Sequence, residues 1–356
     1  MIYLLIFFAL TLFFTLIFNK RDKNIKIKIF KDFYAEIKLT LPKKKYEAGQ
    51  FMVMDFIINN KKVSRAYSLS NDQEKDGYGR FIVKRVKNGV VSNFLLDNYE
   101  NIKNIKLSGP FGDFIINKKT NNHVFIAGGS GITPIASILN SYLEKRKEDS
   151  FFLIYGNKNC QEIILDEEIF NLSKTFNNLK IVSFTNDGSS NFIQNKKGVL
   201  DYGVLLENIN NFNLPFKDTT FYVCGPDGVI NNCKKIFETL NIDESNIRIE
   251  KFISIQNIEK QTTNNKKFNL AVLEDNLVKK IIKISSNNTL LNNLIENNID
   301  INYSCMSGIC KMCKVSAEGN FKEKFPLSET DENGKKQILS CSTYLIEDSK
   351  IMIKKQ

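Results

Sequence analysis

Four cysteines carry the clearest chemistry in this sequence. Cys305, Cys310 and Cys313 are spaced C-x4-C-x2-C, and Cys341 follows well downstream. Two irons with two bridging sulfides need four thiolates, and this is the spacing of a [2Fe–2S] ligand set. Gly308, inside the loop, lets the backbone wrap closely and turn N–H groups toward sulfur. A structural zinc site would ordinarily pair two close C-x2-C knuckles, and here there is one. Of the remaining three cysteines, Cys160 and Cys233 lie in no motif and read as structural, whereas Cys224 opens the turn CGPDG.

A second feature is the run VFIAGGSGITP. An apolar strand ends at Ala127, Gly128–Gly131 turn the chain, and Pro134 falls in what should be the first helical turn. Bare N–H groups at such a helix start can hold a pyrophosphate. Alone, the pattern fits either dinucleotide binding or a plain tight turn, since it is not G-x-G-x-x-G. The chain has a single histidine, His123. That excludes a Rieske centre, a multi-histidine zinc site and a bis-histidine haem. His123 precedes an apolar run and is expected at a strand start or on the surface.

The 356 residues suit two or three domains. The net charge of +11 comes with a general Asn, Lys and Ile bias. No compact Lys/Arg block interleaved with aromatics occurs, so no nucleic-acid partner is expected. Met1 to Phe18 is uncharged and almost wholly apolar, and Lys20, Arg21, Lys23, Lys26 and Lys28 follow. Some 18 residues of helix rise roughly 27 Å, near the thickness of a bilayer core. A secretory signal would put its charge first and end on small residues. The expectation is an uncleaved, single-pass anchor over residues 1–19 in the cell membrane, with the body cytoplasmic. A cytoplasmic body also disfavours disulfides.

The elements that must position these residues fall into three blocks. Residues 24–117 show short alternating runs (Ile25, Ile27, Ile29; Phe81, Val83) punctuated by Gly49, Asn59-Asn60, Gly77 and Gly79, which predicts an antiparallel β-barrel. Over 121–253, apolar runs at Val124–Ala127, Phe151–Tyr155, Ile181–Phe184 and Phe221–Cys224 alternate with helical stretches, which predicts a parallel α/β domain. Residues 254–267 are polar and read as a linker. In 268–356, Phe268–Glu274 and Lys279–Ser285 form a predicted hairpin. A short helix follows over Thr289–Asn298, with Leu290, Leu291, Leu294 and Ile295 on its apolar face. Strands from Lys314 and before Lys354 complete a β-grasp pattern.

RAYSLS (Arg65–Ser70), GPFGDF (Gly109–Phe114), GGSGITP (Gly128–Pro134) and CGPDG (Cys224–Gly228) occur in that order. Together they resemble the ferredoxin–NADP⁺ reductase superfamily. With the cysteine set last, the chain is similar to the oxygenase-reductase group that includes the phenylacetyl-CoA epoxidase reductase. The resemblance implies a flavin-binding barrel, an NAD(P)-binding α/β domain and a plant-type ferredoxin domain. It implies FAD rather than FMN, since VKRVKNGVVSNFL carries a VSN segment, together with a [2Fe–2S] cluster and NADH or NADPH as donor.

Residue by residue, the resemblance gives Arg65 to a flavin phosphate, Tyr67 to the isoalloxazine face and Ser68 to flavin N5. It places Lys84 near the flavin and assigns Val91 and Ser92 to phosphate contacts. Gly129, Gly131 and Thr133 would meet the dinucleotide, and Cys224 would lie beside the nicotinamide. Glu250 and Phe252 match a late acidic–aromatic pair near the flavin. Cys305, Cys310, Cys313 and Cys341 would ligate iron. Val229 stands where a Met is frequent. Lys158 favours a 2′-phosphate, while Thr185-Asn186-Asp187, which lacks an Arg, points to NADH.

The implied activity is an NAD(P)H-dependent oxidoreductase, since NAD(P)H gives two electrons together and the cluster takes one. The expected acceptor is a separate, membrane-associated oxygenase, hydroxylase or desaturase. The alternative is an electron-input subunit of a respiratory or ion-translocating complex. The flavin subunit of the sodium-pumping quinone reductase has one anchor too, but there the ferredoxin domain precedes the flavin domain.

Overall fold

A computed structural model describes residues 25–353, apart from 103–104, 189–191, 193–194, 253–265, 275–276, 300, 302, 304–307 and 309. The predicted anchor, most of the predicted linker and Cys305 lie outside the described residues. Among the described residues, no helix is long and apolar enough to cross a membrane. The chain divides into two compact units, 1–252 and 253–356.

The first unit opens with six strands: β1 (Lys26–Phe30), β2 (Tyr34–Leu39), β3 (Phe51–Ile58), β4 (Lys61–Ser68), β5 (Gly79–Lys84) and β6 (Lys106–Phe111). They form two antiparallel three-stranded sheets, ordered β1-β2-β5 and β4-β3-β6, joined by a bridge between Leu69 and Phe81. Period-2 patterning explains the closure: Ala35, Ile37 and Leu39 of β2 point inward and meet Met52, Met54, Phe81 and Val83 in one core. A short helix α1 (Gln73–Asp76) lies between β4 and β5. Helix α2 (Val90–Asn98) buries Val91, Leu95 and Leu96 on the same core.

The second half of this unit is a six-stranded parallel sheet. Its strands are β7 (Asn122–Gly128), β8 (Ser150–Asn157), β9 (Leu179–Thr185), β10 (Asn195–Lys197), β11 (Thr219–Cys224) and β12 (Ile247–Glu250), in the order β10-β9-β8-β7-β11-β12. Successive residues of each strand serve opposite faces. Phe125, Ala127, Leu153 and Tyr222 pack under α3 (Ile132–Tyr142) and α4 (Asp166–Thr175), while Val124, Ile126, Ile154 and Val223 pack under α5 (Tyr202–Asn211) and α6 (Asp227–Thr239). Double-sided burial gives the continuous apolar runs visible in the sequence. Ala48, Ile82 and Phe114 from the barrel half join the first of these cores.

His123 departs from the surface alternative. It is the second residue of β7, fully buried, with Nε2 2.9 Å from Asp149 Oδ2, and Arg146 shares that carboxylate. A tilted ring contact with Phe151 and pairing with Asp149 make burial tolerable.

The second unit is a mixed sheet ordered β14-β13-β19-β15-β17, built from β13 (Lys267–Glu274), β14 (Leu277–Ser285), β15 (Lys314–Glu318), β17 (Lys336–Leu339) and β19 (Ser349–Ile353), with β13 and β19 parallel. A small ribbon pairs β16 (Phe321–Glu323) with β18 (Thr343–Leu345). Helix α7 (Leu290–Glu296) starts at Thr289, whose side chain accepts the Asn292 N–H, and buries Leu290, Leu291 and Leu294. Ile295, expected on that face, is 37% exposed, because the helix turns it past the sheet. Strand β14 is one of the two outer strands, with Leu277, Val278 and Ile281 exposed.

Candidate functional site

The first unit brings Ser68 of the barrel half to the carboxyl ends of the parallel strands, the usual place for a ligand in such sheets. Arg65, Tyr67 and Ser68 lie on β4, paired in register with Met54, Met52 and Phe51 of β3. The Arg65 guanidinium is half-buried, donates to the Ser64 carbonyl at 2.7 Å, and has no carboxylate within ion-pairing distance among the described residues. Burial lowers its pKa. A desolvated cation without a counter-ion fits a bound phosphate. Burial also pushes the Tyr67 phenol up, which keeps it a neutral, packable ring.

Ser68 Oγ–H donates to Glu250 Oε1 at 2.8 Å, joining β4 to the end of β12. Both are buried, and burial, partly offset by the Ser68 hydrogen bond, raises Glu250 to about 7. Glu250 sits in register beside Cys224, the last residue of β11. Burial first, and Glu250 second, push the Cys224 thiol well up, so it stays protonated and soft rather than acting as an acid or base. A side chain on Gly112 of GPFGDF would begin 3.7 Å from Glu250 Oε2, so that motif borders the same place. Phe252, two residues on, is 41% exposed.

The glycine turn meets this cluster directly. A Cβ on Gly131 would lie 1.9 Å from the Cys224 carbonyl oxygen, so only glycine lets the two strand ends approach. Thr133, expected toward the nicotinamide, is buried and donates to the Ser130 carbonyl at 3.1 Å, so its hydroxyl locks the turn. Lys84 ends β5, as expected near the site, but its ammonium bonds Glu162 Oε2 at 2.7 Å and stands beside Gly129. Val91 is buried, so only its backbone can serve a phosphate. The Ser92 hydroxyl accepts the Val86 N–H at 3.1 Å, closing the loop that starts α2. The first-turn N–H groups of that nine-residue helix have no intrahelical acceptor and suit an anion.

Sequence reasoning missed the contacts that set the barrel half against the dinucleotide half. Arg80 of β5 grips Glu168 of α4 with both guanidinium nitrogens, at 2.6 and 2.7 Å, and Asn140 of α3 adds a third hydrogen bond to that carboxylate. Nothing local marks residues so far apart in the chain as partners.

In the second unit, Cys313 and Cys341 bring their sulfurs to 3.2 Å of each other. The Gly308 N–H donates to Cys341 Sγ at 3.1 Å, from a backbone with φ of +79° that favours glycine. Cys341 rides a short turn whose Ser340 hydroxyl and N–H both donate to the Cys313 carbonyl. Among the described residues no cysteine is in a disulfide. Cys310 lies in the same loop, and Cys305 is outside the described residues. Converging sulfurs with an N–H donor fit a thiolate-held iron–sulfur cluster. When bound, FAD takes the paired electrons of NAD(P)H and the cluster carries them on singly.

Three family models match in succession: an oxidoreductase FAD-binding domain over 26–116, an oxidoreductase NAD-binding domain over 125–235, and a 2Fe-2S iron-sulfur cluster binding domain over 273–345. The ferredoxin reductase component of 3-ketosteroid-9-alpha-monooxygenase from Rhodococcus rhodochrous is 23% identical over 315 residues, covering 85% of this chain and 86% of that one. A subunit of the 1,2-phenylacetyl-CoA epoxidase of Escherichia coli K12 is 22% identical, covering 83% and 85%. A flavohemoprotein from Oceanobacillus iheyensis is 29% identical over 64% of this chain, which spans only 56% of that longer protein. The solved phthalate dioxygenase reductase shares the fold, with a TM-score of 0.60 at 20% identity over 93% of this chain and 97% of that one. Three matched domains in this order, with the motifs above seated where the strands converge, make the chain a ferredoxin reductase-type oxidoreductase of the ferredoxin–NADP⁺ reductase superfamily that uses FAD, NAD(P)H and a [2Fe–2S] cluster.

Proposed function

We propose that this protein is the membrane-tethered reductase of a two-component system, supplying single electrons to a separate oxygenase, hydroxylase or desaturase. The observation that carries the reading is the [2Fe–2S] domain on the same chain as the FAD and NAD-binding domains. A cluster accepts and passes on one electron at a time. Relatives of the same layout are named as reductase parts of a ketosteroid monooxygenase and a glycine betaine monooxygenase, and as a subunit of a phenylacetyl-CoA epoxidase.

Arg65 and the start of α2 would hold the flavin phosphates, Tyr67 would pack on the ring, and Ser68 with Glu250 would face its reacting edge. Cys224 would border the nicotinamide, and the four sulfurs of Cys305, Cys310, Cys313 and Cys341 would hold the cluster. The apolar run to Phe18, followed by Lys20, Arg21 and Lys23, would anchor the chain in the cell membrane with its catalytic domains on the cytoplasmic side.

The test uses Cys310→Ser in the full-length, detergent-solubilised protein, alongside affinity capture and mass spectrometry of its partners. The variant should lose cluster absorption and EPR signals, keep FAD, and still reduce two-electron dyes with NAD(P)H. Turnover of a captured oxygenase should fall to background. Undiminished turnover through the variant would remove the cluster from the route and end this reading.

A further inference from the structure

Lys84 and Glu162 reach each other across the seam of the first unit. Lys84 closes β5 of the barrel half, and Glu162 lies in the Cys160–Glu162 turn after β8. Their ion pair is 2.7 Å, with side chains only 26% and 20% exposed. The carboxylate is held in place from its own side. Asn159 Nδ2 donates to Glu162 Oε1 at 3.2 Å, and the Glu162 N–H donates back to Asn159 Oδ1 at 3.1 Å. The ammonium is equally well placed toward something else. A Cβ on Gly129 would lie 3.9 Å from Lys84 Nζ, and Gly129, with φ of +55°, is the first left-handed residue of the glycine turn.

That turn belongs to an NAD-binding domain, and its bare N–H groups and the start of α3 are where a pyrophosphate finds donors. A pyrophosphate there would come within reach of Lys84, and the ammonium would then have two anions to choose between. One of them, Glu162, is part of the protein and already seated.

We propose that Glu162 is a resident counter-ion that the dinucleotide must displace from Lys84, so that this carboxylate weakens nucleotide binding and makes it salt-dependent. The function of such a competitor is release: it returns to Lys84 as oxidised nucleotide leaves, which opposes retention of product. The pair is not required to hold the two halves together, because Arg80 and Glu168 span the same seam with two short bonds. A purely structural clamp and a competitor therefore predict opposite signs. Loosening a clamp weakens binding, and removing a competitor tightens it. No acceptor enters the proposal, so it stands or falls apart from the function proposed above.

The experiment is calorimetric titration of FAD-loaded wild type and Glu162→Gln with NAD⁺ and, separately, ADP, at low and high salt. ADP carries the pyrophosphate without the nicotinamide. Kd for both ligands should fall roughly two- to fivefold in the variant at low salt, the scale of a partly exposed ion pair. The gain should shrink at high salt. Glu162→Ala, which leaves no amide to hold Lys84, should shift the same way and serves if the glutamine variant loses flavin. Unchanged or weaker binding of ADP overturns the proposal, and so does tightening seen with NAD⁺ alone.

Discussion

Glu250 and Ser68 are 182 positions apart, yet their side chains share one buried hydrogen bond. The protonation of that pair has a consequence for stability. An exposed glutamate titrates near 4.5, and burial brings Glu250 to about 7. A raised carboxyl binds its proton more tightly when folded. The stability it lends is full below about 4.5 and is lost as the pH rises through about 7. Glu250→Gln should therefore gain on wild type across that window, read as unfolding midpoints at a series of pH values with flavin release as the signal. A difference between the two proteins that does not vary with pH would contradict the buried, near-neutral carboxyl. At this scale the motifs were readable because each carries its own local signal: RAYSLS runs along a strand, GGSGITP makes a turn, and C-x4-C-x2-C has its own spacing. The pairing of Arg80 with Glu168, and of Lys84 with Glu162, was not readable, because nothing local names the partner until the two halves of the unit meet.

Among the elements, the alternating apolar runs placed every strand of the parallel sheet's centre, since β7, β8 and β11 are buried on both faces and leave no other pattern. The same reasoning misjudged Ile295, which lies within the seven-residue helix yet is 37% exposed. His123 is at a strand start, one of its two expected places, and pairs there with Asp149. A tight joint between elements is Gly131 against the end of β11. Gly131→Ala must push apart two backbone segments that would otherwise leave 1.9 Å for the new carbon. Overpacking of this kind costs about 1–3 kcal/mol. The variant should melt earlier and bind NAD⁺ more weakly while still holding FAD, whose predicted phosphate and ring contacts lie on β4 and α2. A variant that binds NAD⁺ as wild type does would mean that the turn has room to yield.

For the whole molecule, the order of parts separates chemistry from location. Every predicted redox contact lies downstream of residue 64, so deleting residues 1–19 should leave NAD(P)H-dependent dye reduction intact and release the protein from washed membranes. Turnover of a membrane acceptor is another matter. Confining reductase and partner to one surface raises their effective concentration, an advantage on the order of 10²–10⁴. The truncated protein should serve that acceptor only when supplied at high concentration. Full turnover at low concentration would argue for a soluble acceptor. A truncated protein that stays with washed membranes would point to a second attachment.

One edge strand of the second unit has a surface that bears on strand-to-strand association. Strand β14 ends the sheet and turns Leu277, Val278 and Ile281 outward, the profile of a template for another chain's strand. Lys279, Lys280 and Lys283 are interleaved with those residues, all exposed. Two copies brought edge to edge would press like charges together before any ladder could form. Lys279 is paired with Glu274, so the charge that opposes such pairing rests mainly on Lys280 and Lys283, the usual way an edge strand is blunted.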